Sequence, residues 1–150
     1  MEVLKRLDEG VQLNLEEWKQ SSKWREGQDL DSMWAVKELT WGNIDAQDRV
    51  SNRLKGMTTS ETSKFDIIVA SEILYLAHEH KNLAKTIKAF CHPDTIIYMV
   101  YKRRGLGEEG FYRMASWAGL ECRDIPRDSL DAEFIDDLDH IVMELKPIRK

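Results

Sequence analysis

The stretch FDIIVASEILY, residues 65–75, decides the fold of this chain. Residues 65–70 are apolar almost without interruption, which predicts a strand buried on both faces, and Ser71 and the acid Glu72 follow directly. In an open α/β sheet the carboxyl ends of parallel strands border the ligand crevice, so Glu72 and Tyr75 are candidate site residues. A plainer interpretation, in which Glu72 only caps the following helix, stays open.

The residues around this stretch predict one α/β domain over residues 1–150. Helical spacing of apolar residues predicts helices over 2–18 and 76–90, and a third helix is predicted over 108–118, between a glycine-rich turn and Gly119. Four further strands are predicted, over 33–39, 95–101, 120–125 and 140–145. Alternation of strands and helices implies parallel pairing, whereas the last two strands, joined by the acidic loop 126–139, suggest an antiparallel pair. The polar stretches 19–32 and 43–63 are predicted to be a loop and an exposed insertion.

Composition narrows the class of protein. The net charge is −5, which opposes binding to nucleic acid through phosphate neutralisation. Cys91 and Cys122 form no disulfide or redox pattern, and with the four histidines they show no recognised metal-ligand spacing, so we expect no metal site. No apolar run is long enough to span a membrane, and the N-terminus lacks the order of a signal peptide. These features indicate a cytoplasmic or nuclear protein.

A glycine motif offers a competing function. Residues 105–110, GLGEEG, match the Gly-x-Gly-x-x-Gly pattern of dinucleotide-binding proteins, with Asp124 further on. However, Lys102, Arg103 and Arg104 separate the motif from the body of the preceding strand, and Glu108 and Glu109 would repel a pyrophosphate. An ordinary turn that opens a helix is therefore favoured, and a dinucleotide binder using Gly105–Gly110 remains the less favoured alternative.

Trp41 is a second candidate for ligand contact. It stands beside Gly42, just past the predicted strand 33–39, where an indole ring can form a wall for a flat ligand. Simple packing at the sheet edge accounts for the same position equally well, so both interpretations stay open.

Several motifs together resemble a known family. LTWG at residues 39–42, followed by FDIIVASEILY at 65–75, resembles the class I seven-strand protein-lysine methyltransferases of the methyltransferase-like family, which act on chaperones and other non-histone proteins. The resemblance extends to the Val-Leu-x-x-Leu helix at residues 3–7, the strand that ends in Lys102–Arg104, and the helix with Phe111 and Tyr112. It covers nearly the whole chain.

The resemblance implies a cofactor, a substrate and four site residues. The cofactor would be S-adenosylmethionine, with Trp41 beside its adenine and Ser71 lining its cleft. Glu72 and Tyr75 would form the acid-x-x-aromatic motif at the pocket for a lysine of a protein substrate. No nucleic acid or membrane partner is implied.

The resemblance also implies an incomplete domain. In the family, a first strand, a glycine-rich cofactor loop and a second strand ending in an acid precede the part that this chain matches. We therefore expect a Rossmann-like sheet that lacks its first two strands and has an antiparallel C-terminal pair. Such an N-terminally truncated chain would be an impaired enzyme, or a non-catalytic protein-interaction module derived from the same fold.

Overall fold

The structure, a computed structural model, describes residues 2–20, 34–57 and 64–149. The helices that it contains are α1 (Glu2–Lys19), α2 (Ile44–Met57), α3 (His80–Ala89) and α4 (Gly110–Trp117). Its strands are β1 (Phe65–Ser71), β2 (Cys91–Lys102), β3 (Leu120–Asp124) and β4 (His140–Pro147). Short 3₁₀ turns occur at Ala77–Glu79, Arg127–Ser129 and Ala132–Phe134. None of the helices in these ranges is long and apolar enough to cross a membrane.

The four strands form one sheet in the order β1-β2-β4-β3. β1 and β2 are parallel, with Val69 opposite Tyr98, and the crossover between them is α3. β4 runs antiparallel to both of its neighbours, β2 and β3. The predicted mixed α/β class is therefore confirmed.

The core lies on one face of this sheet. The buried residues there are Ile97 and Met99 of β2, Leu120 of β3, and Met143 and Leu145 of β4. α3 and α4 cover them with Leu83, Ala84, Ile87, Phe111 and Ala115. Each of the large apolar side chains in this layer stabilises the fold by about 1.5–3 kcal/mol relative to an exposed position. This packing fixes the carboxyl ends of β1 and β2 side by side.

The prediction that β1 is buried on both faces is wrong. Ile68 and Ala70 pack against the core, but Ile67 and Val69, which point to the other face, are 60% and 75% exposed. Continuous apolar sequence is typical of a strand covered on two sides. In the part of the chain that the structure describes, however, α3 and α4 cover the core on the face of Ile68 and Ala70, and Ile67 and Val69 on the other face remain exposed.

The predicted strand over 33–39 is also wrong in its described part, and the predicted insertion over 43–63 contains a helix that was not predicted. Residues 34–40 form no strand, because no described strand lies beside them to supply hydrogen bonds, and Met33 lies outside the described residues. The predicted insertion contains α2, which begins after Asn43, whose side-chain Oδ1 accepts a 3.0 Å hydrogen bond from the Ala46 N–H. Ala46 is buried and Val50, one turn later, is half-buried, so the helix has an apolar face. The predicted loop 19–32 lies mostly outside the described ranges.

Candidate functional site

Glu72 is the first residue after β1, and its conformation is unusual. Its φ is +55°, in the left-handed region that residues other than glycine rarely adopt. Its N–H donates to the carbonyl of Val100 at 2.9 Å, which extends the pairing of β1 with β2 by one step. Its carboxylate accepts a hydrogen bond from the Lys102 N–H at 2.6 Å through Oε1 and one from Arg104 Nη2 at 2.5 Å through Oε2. One side chain thus joins the ends of two parallel strands.

These contacts exclude the interpretation of Glu72 as a helix cap. The N-cap of α3 is Glu79, and the 3₁₀ turn before it has Leu76 at that position. The Glu72–Arg104 pair is partly exposed, so its Coulomb energy contributes little, about 0–1 kcal/mol. The contacts orient the carboxylate more than they stabilise the fold.

Tyr75 lies in the short connection between β1 and α3. Its side chain is 51% exposed, whereas the preceding Leu74 is buried. Leu74 is held from both sides, since its side chain enters the core and its carbonyl accepts a 2.9 Å hydrogen bond from His80 Nε2–H. His80 is itself buried against Phe111, at a distance of 5.7 Å between the ring centroids. Because Leu74 and His80 are buried and hydrogen-bonded to each other, the Tyr75 side chain next to Leu74 is held on the solvent side.

A cavity of about 390 Å³, which we call the loop cavity, lies beside Glu72 on the open face of the sheet. Its floor consists of the carboxyl end of β1 and neighbouring positions of β2 and β4: Ser71, Glu72, Val100 and Val142. Its wall comes from the segment that connects β3 to β4 and from the first residue of β4: Arg127, Leu130, Asp131, Phe134, Asp137 and His140. The loop cavity therefore combines an apolar interior with several carboxylates.

Arg127 and Asp137 hold the wall of the loop cavity in place. The Arg127 guanidinium donates to the backbone carbonyls of Asp137 and, at 3.0 Å, His140. His140 Nδ1 lies 2.6 Å from Asp137 Oδ2. The hydrogen bond from His140 lowers the pKa of Asp137, an effect that desolvation opposes only in part and that two backbone N–H donors support. Asp137 is therefore a carboxylate at neutral pH.

A second cavity of about 500 Å³, the edge cavity, follows the outer edge of β1. Ile67 and Val69 from one face of the strand and Ile68 and Ala70 from the other all line it. Because both faces contribute, the space must run along the edge that is not paired with β2. The opposite wall includes Trp34, Leu39 and Trp41.

Trp41 lines the edge cavity and packs against the core. Packing is thus observed, whereas contact with a ligand stays a prediction. The turn at Gly42 positions Trp41: Gly42 has a φ of +75°, and its N–H donates to Thr86 Oγ1 at 2.8 Å. A Cβ on Gly42 would lie 2.9 Å from Asn82 Cγ, so any other residue would combine a strained φ with a displacement of the Asn82 side chain.

The four candidate residues are not gathered in one cavity. Ser71 and Glu72 line the loop cavity, Trp41 lines the edge cavity, and Tyr75 lines neither. The edge cavity does reach Ala70 and Ile73, the residues on either side of Ser71 and Glu72. The end of β1 is therefore where the two cavities approach each other.

In the glycine motif at residues 105–110, the side chain of Glu108 occupies the backbone N–H donors of the turn. Glu108 is buried, and its carboxylate accepts hydrogen bonds of 2.9 Å from the N–H groups of both Arg104 and Leu106. Burial raises the pKa of Glu108, but hydrogen bonds from the backbone of Glu108, Arg104 and Leu106 outweigh it and lower the pKa overall. The donors that a pyrophosphate would need are thus engaged by a carboxylate. This geometry supports the ordinary turn and opposes the dinucleotide interpretation.

Sequence reasoning missed the partners of Glu72 and the wall of the loop cavity. Arg104 could have been found, because parallel β1 and β2 end at the same sheet edge and Arg104 follows β2 by two residues. Phe134 and Arg127 gave no such signal, since they lie in an irregular segment without periodicity. Within the described ranges, no group of three or more His, Cys, Asp or Glu residues could hold a metal ion.

Comparison with known proteins adds one match. The sequence model of the family described as lysine methyltransferase matches residues 24–117, more than half of the chain. The matched range contains Trp41, Ser71, Glu72 and Tyr75 and ends with α4. No curated protein matches the chain.

Proposed function

The chain belongs to the lysine methyltransferase family, and from this premise we propose that it is a domain for S-adenosylmethionine-dependent methyl transfer to a lysine of a non-histone protein. The observation that carries the proposal is the position of Glu72. It lies at the carboxyl end of β1, with its carboxylate oriented by Lys102 and Arg104, and it lines a cavity open to a substrate.

Glu72 has the capacity to bind a lysine ammonium. A carboxylate offers about four lone-pair positions, and the Lys102 N–H and Arg104 occupy two of them. The remaining acceptor positions suit a cationic nucleophile, which must be held and desolvated and must lose a proton before its nitrogen can react. Tyr75, half-exposed and three residues on, offers an aromatic face to the same kind of cation. We propose Glu72 and Tyr75 as the residues that orient the substrate lysine.

The cofactor fits the described residues only in part. S-adenosylmethionine would supply an electrophilic methyl group. The indole of Trp41 and the apolar walls of the edge cavity suit an adenine ring, and Ser71 lies at the adjacent strand end. None of the described residues lining the edge cavity is an acid that could accept the ribose hydroxyls. We therefore propose that the 150-residue chain binds S-adenosylmethionine weakly and that its methyl transfer is impaired.

A titration and a transfer assay test this proposal together. In isothermal titration calorimetry we expect no micromolar binding of S-adenosylmethionine, and micromolar binding would overturn the proposed impairment. At millimolar S-adenosylmethionine, mass spectrometry should detect methylation of lysine-containing peptides, and Glu72→Gln should abolish it. Methylation that survives Glu72→Gln unchanged would overturn the proposed role of Glu72.

The alternative is a non-catalytic protein-interaction module of the same fold. The partial fit to the cofactor favours it, because binding of a protein segment in the loop cavity would not require a bound methyl donor. Complete absence of methyl transfer at saturating S-adenosylmethionine, with peptide binding intact, would select this alternative.

A further inference from the structure

The segment 126–140 carries the whole net charge of the chain. It contains one basic residue, Arg127, and six acidic ones: Asp128, Asp131, Glu133, Asp136, Asp137 and Asp139. The chain has 27 acidic and 22 basic residues, so 21 of each sign lie outside this segment. The negative field of the protein is therefore concentrated at the wall of the loop cavity.

Three of these acids are available to a partner. Asp131 accepts a hydrogen bond from the Glu133 N–H, and Asp137 and Asp139 pair with His140 and Lys102. The carboxylates of Asp128, Glu133 and Asp136 are exposed and engage no hydrogen bond or ion pair within the described chain.

The same segment exposes large apolar side chains. Phe134 is 52% exposed and Leu138 is 74% exposed, and Phe134 also lines the loop cavity with Leu130. On the other side of the cavity lies Val142 of β4. Each of the three available acids directly adjoins in sequence a residue that lines the loop cavity: Arg127, Phe134 or Asp137. An apolar cavity with exposed acids next to its lining residues suits a partner that has an apolar centre and positive flanks.

We propose that the loop cavity binds an extended protein segment in which an apolar side chain is flanked by lysines or arginines, next to the lysine that is methylated. The apolar side chain enters between Leu130, Phe134 and Val142, and the flanking cations face Asp128, Glu133 and Asp136. The inference rests on the proposed function, because Ser71 and Glu72 line the same cavity and so place the bound segment beside the proposed lysine site.

The negative charge beside the loop cavity opposes binding of nucleic acid, acidic peptides or a second copy of this chain. Nucleic acid and acidic peptides would be repelled by the unpaired carboxylates. A second copy of this chain would bring the same excess of −5 to the interface. A basic protein segment is the partner whose charge is complementary.

Fluorescence anisotropy with labelled peptides tests the proposal. The probe is a peptide with one leucine between lysines, and its control carries glutamates in place of the lysines. We expect only the basic peptide to bind, with an affinity that falls as NaCl is raised from about 50 to about 300 mM. The triple variant Asp128→Asn, Glu133→Gln, Asp136→Asn should bind it about tenfold more weakly.

A matched control variant distinguishes an effect of the local acids on peptide affinity from an effect of the net charge of the chain. Glu17→Gln, Glu38→Gln, Asp48→Asn removes the same three charges from exposed positions elsewhere and should leave the affinity unchanged. Equal loss in both triple variants, or no loss in the first, would overturn the proposal. Phe134→Ala should also weaken binding while the salt dependence remains, and unchanged affinity in that variant would count against binding in the loop cavity.

The assay contains no S-adenosylmethionine, so it is independent of catalysis. Selective peptide binding without any methyl transfer would defeat the proposed enzyme but leave the binding site intact. Methyl transfer without preference for basic flanks would defeat the binding site alone.

Discussion

Glu72 Oε1 accepts a 2.6 Å hydrogen bond from the backbone N–H of Lys102, 30 residues further along the chain. This bond connects the residue after β1 to the last residue of β2, at the sheet edge where the parallel strands end. It is made from a backbone conformation with a φ of +55°, which costs of order 1 kcal/mol for a residue with a Cβ. The position of the carboxylate is therefore maintained against local strain.

Substitutions at Glu72 should separate the hydrogen bond from the strain. Glu72→Gln keeps an acceptor for the Lys102 N–H and should cost less than about 1 kcal/mol, whereas Glu72→Ala removes it and should cost about 1–2 kcal/mol. Glu72→Gly loses the same bond but relieves the strain, so we expect it to be about 1 kcal/mol more stable than Glu72→Ala. Urea unfolding of the three variants measures these differences. Equal stability of the glycine and alanine variants would show that no strain is present.

Gly42 should tolerate no side chain. Gly42→Ala combines a positive φ with a Cβ 2.9 Å from Asn82 Cγ, and we expect a loss of about 1–3 kcal/mol in thermal or urea unfolding. Gly10→Ala is the matched control, because Gly10 lies within α1 and an added Cβ meets nothing within 4 Å. There alanine should stabilise α1 by about 0.5–1 kcal/mol. A neutral Gly42→Ala would mean that Asn82 moves aside without cost.

Glu108 should be a structural carboxylate. Glu108→Gln replaces one of the two acceptor oxygens with a donor, which leaves the N–H of Arg104 or Leu106 without its partner. We expect a loss of about 1–3 kcal/mol in urea unfolding. Titration with NAD should show no binding before or after the substitution. If the parent chain did bind NAD and Gly107→Trp removed that binding, the dinucleotide interpretation would be supported instead.

The Asp137–His140 contact should make stability depend on acid pH. The pKa of Asp137 is lower in the folded state, so its contribution is present above the unfolded-state pKa of about 3.9 and is lost as the pH falls through the folded-state value. Asp137→Asn should therefore be less stable than the parent at pH about 6, with a difference that shrinks below pH about 3.9. Urea midpoints measured across that range test this. A difference that does not change with pH would assign the effect to packing alone.

Much of the fold follows from local sequence pattern. Apolar runs identified β1 and β2, and the helical spacing of Leu83 and Ile87 with their neighbours identified α3. The glycine-rich turn before α4 and Gly119 after it identified that helix. α2 was missed because its many polar residues obscured the short apolar face that includes Ala46 and Val50. The predicted strand at 33–39 failed because a strand requires a neighbour to hydrogen-bond, which no local pattern reveals.

The candidate site was predictable only where topology determines it. Parallel strands that end at one edge placed Glu72 beside a crevice, and the structure has it lining the loop cavity. The Arg104 partner and the apolar wall at Phe134 depend on contacts between segments distant in sequence. The roles of Glu72, Tyr75, Trp41 and Ser71 in lysine and cofactor binding stay predictions for the assays above.

The outer edge of β1 has a consequence for the behaviour of concentrated protein. Within the described residues β1 pairs only with β2, so no described strand pairs with its other edge, which lies beside the exposed Ile67 and Val69. A short apolar edge strand without lysine or proline, in which Asp66 is the one charged residue, can serve as a template on which further strands add to form cross-β aggregates. Residues 65–70 thus both set the order of the sheet and form the segment from which fibrils would nucleate.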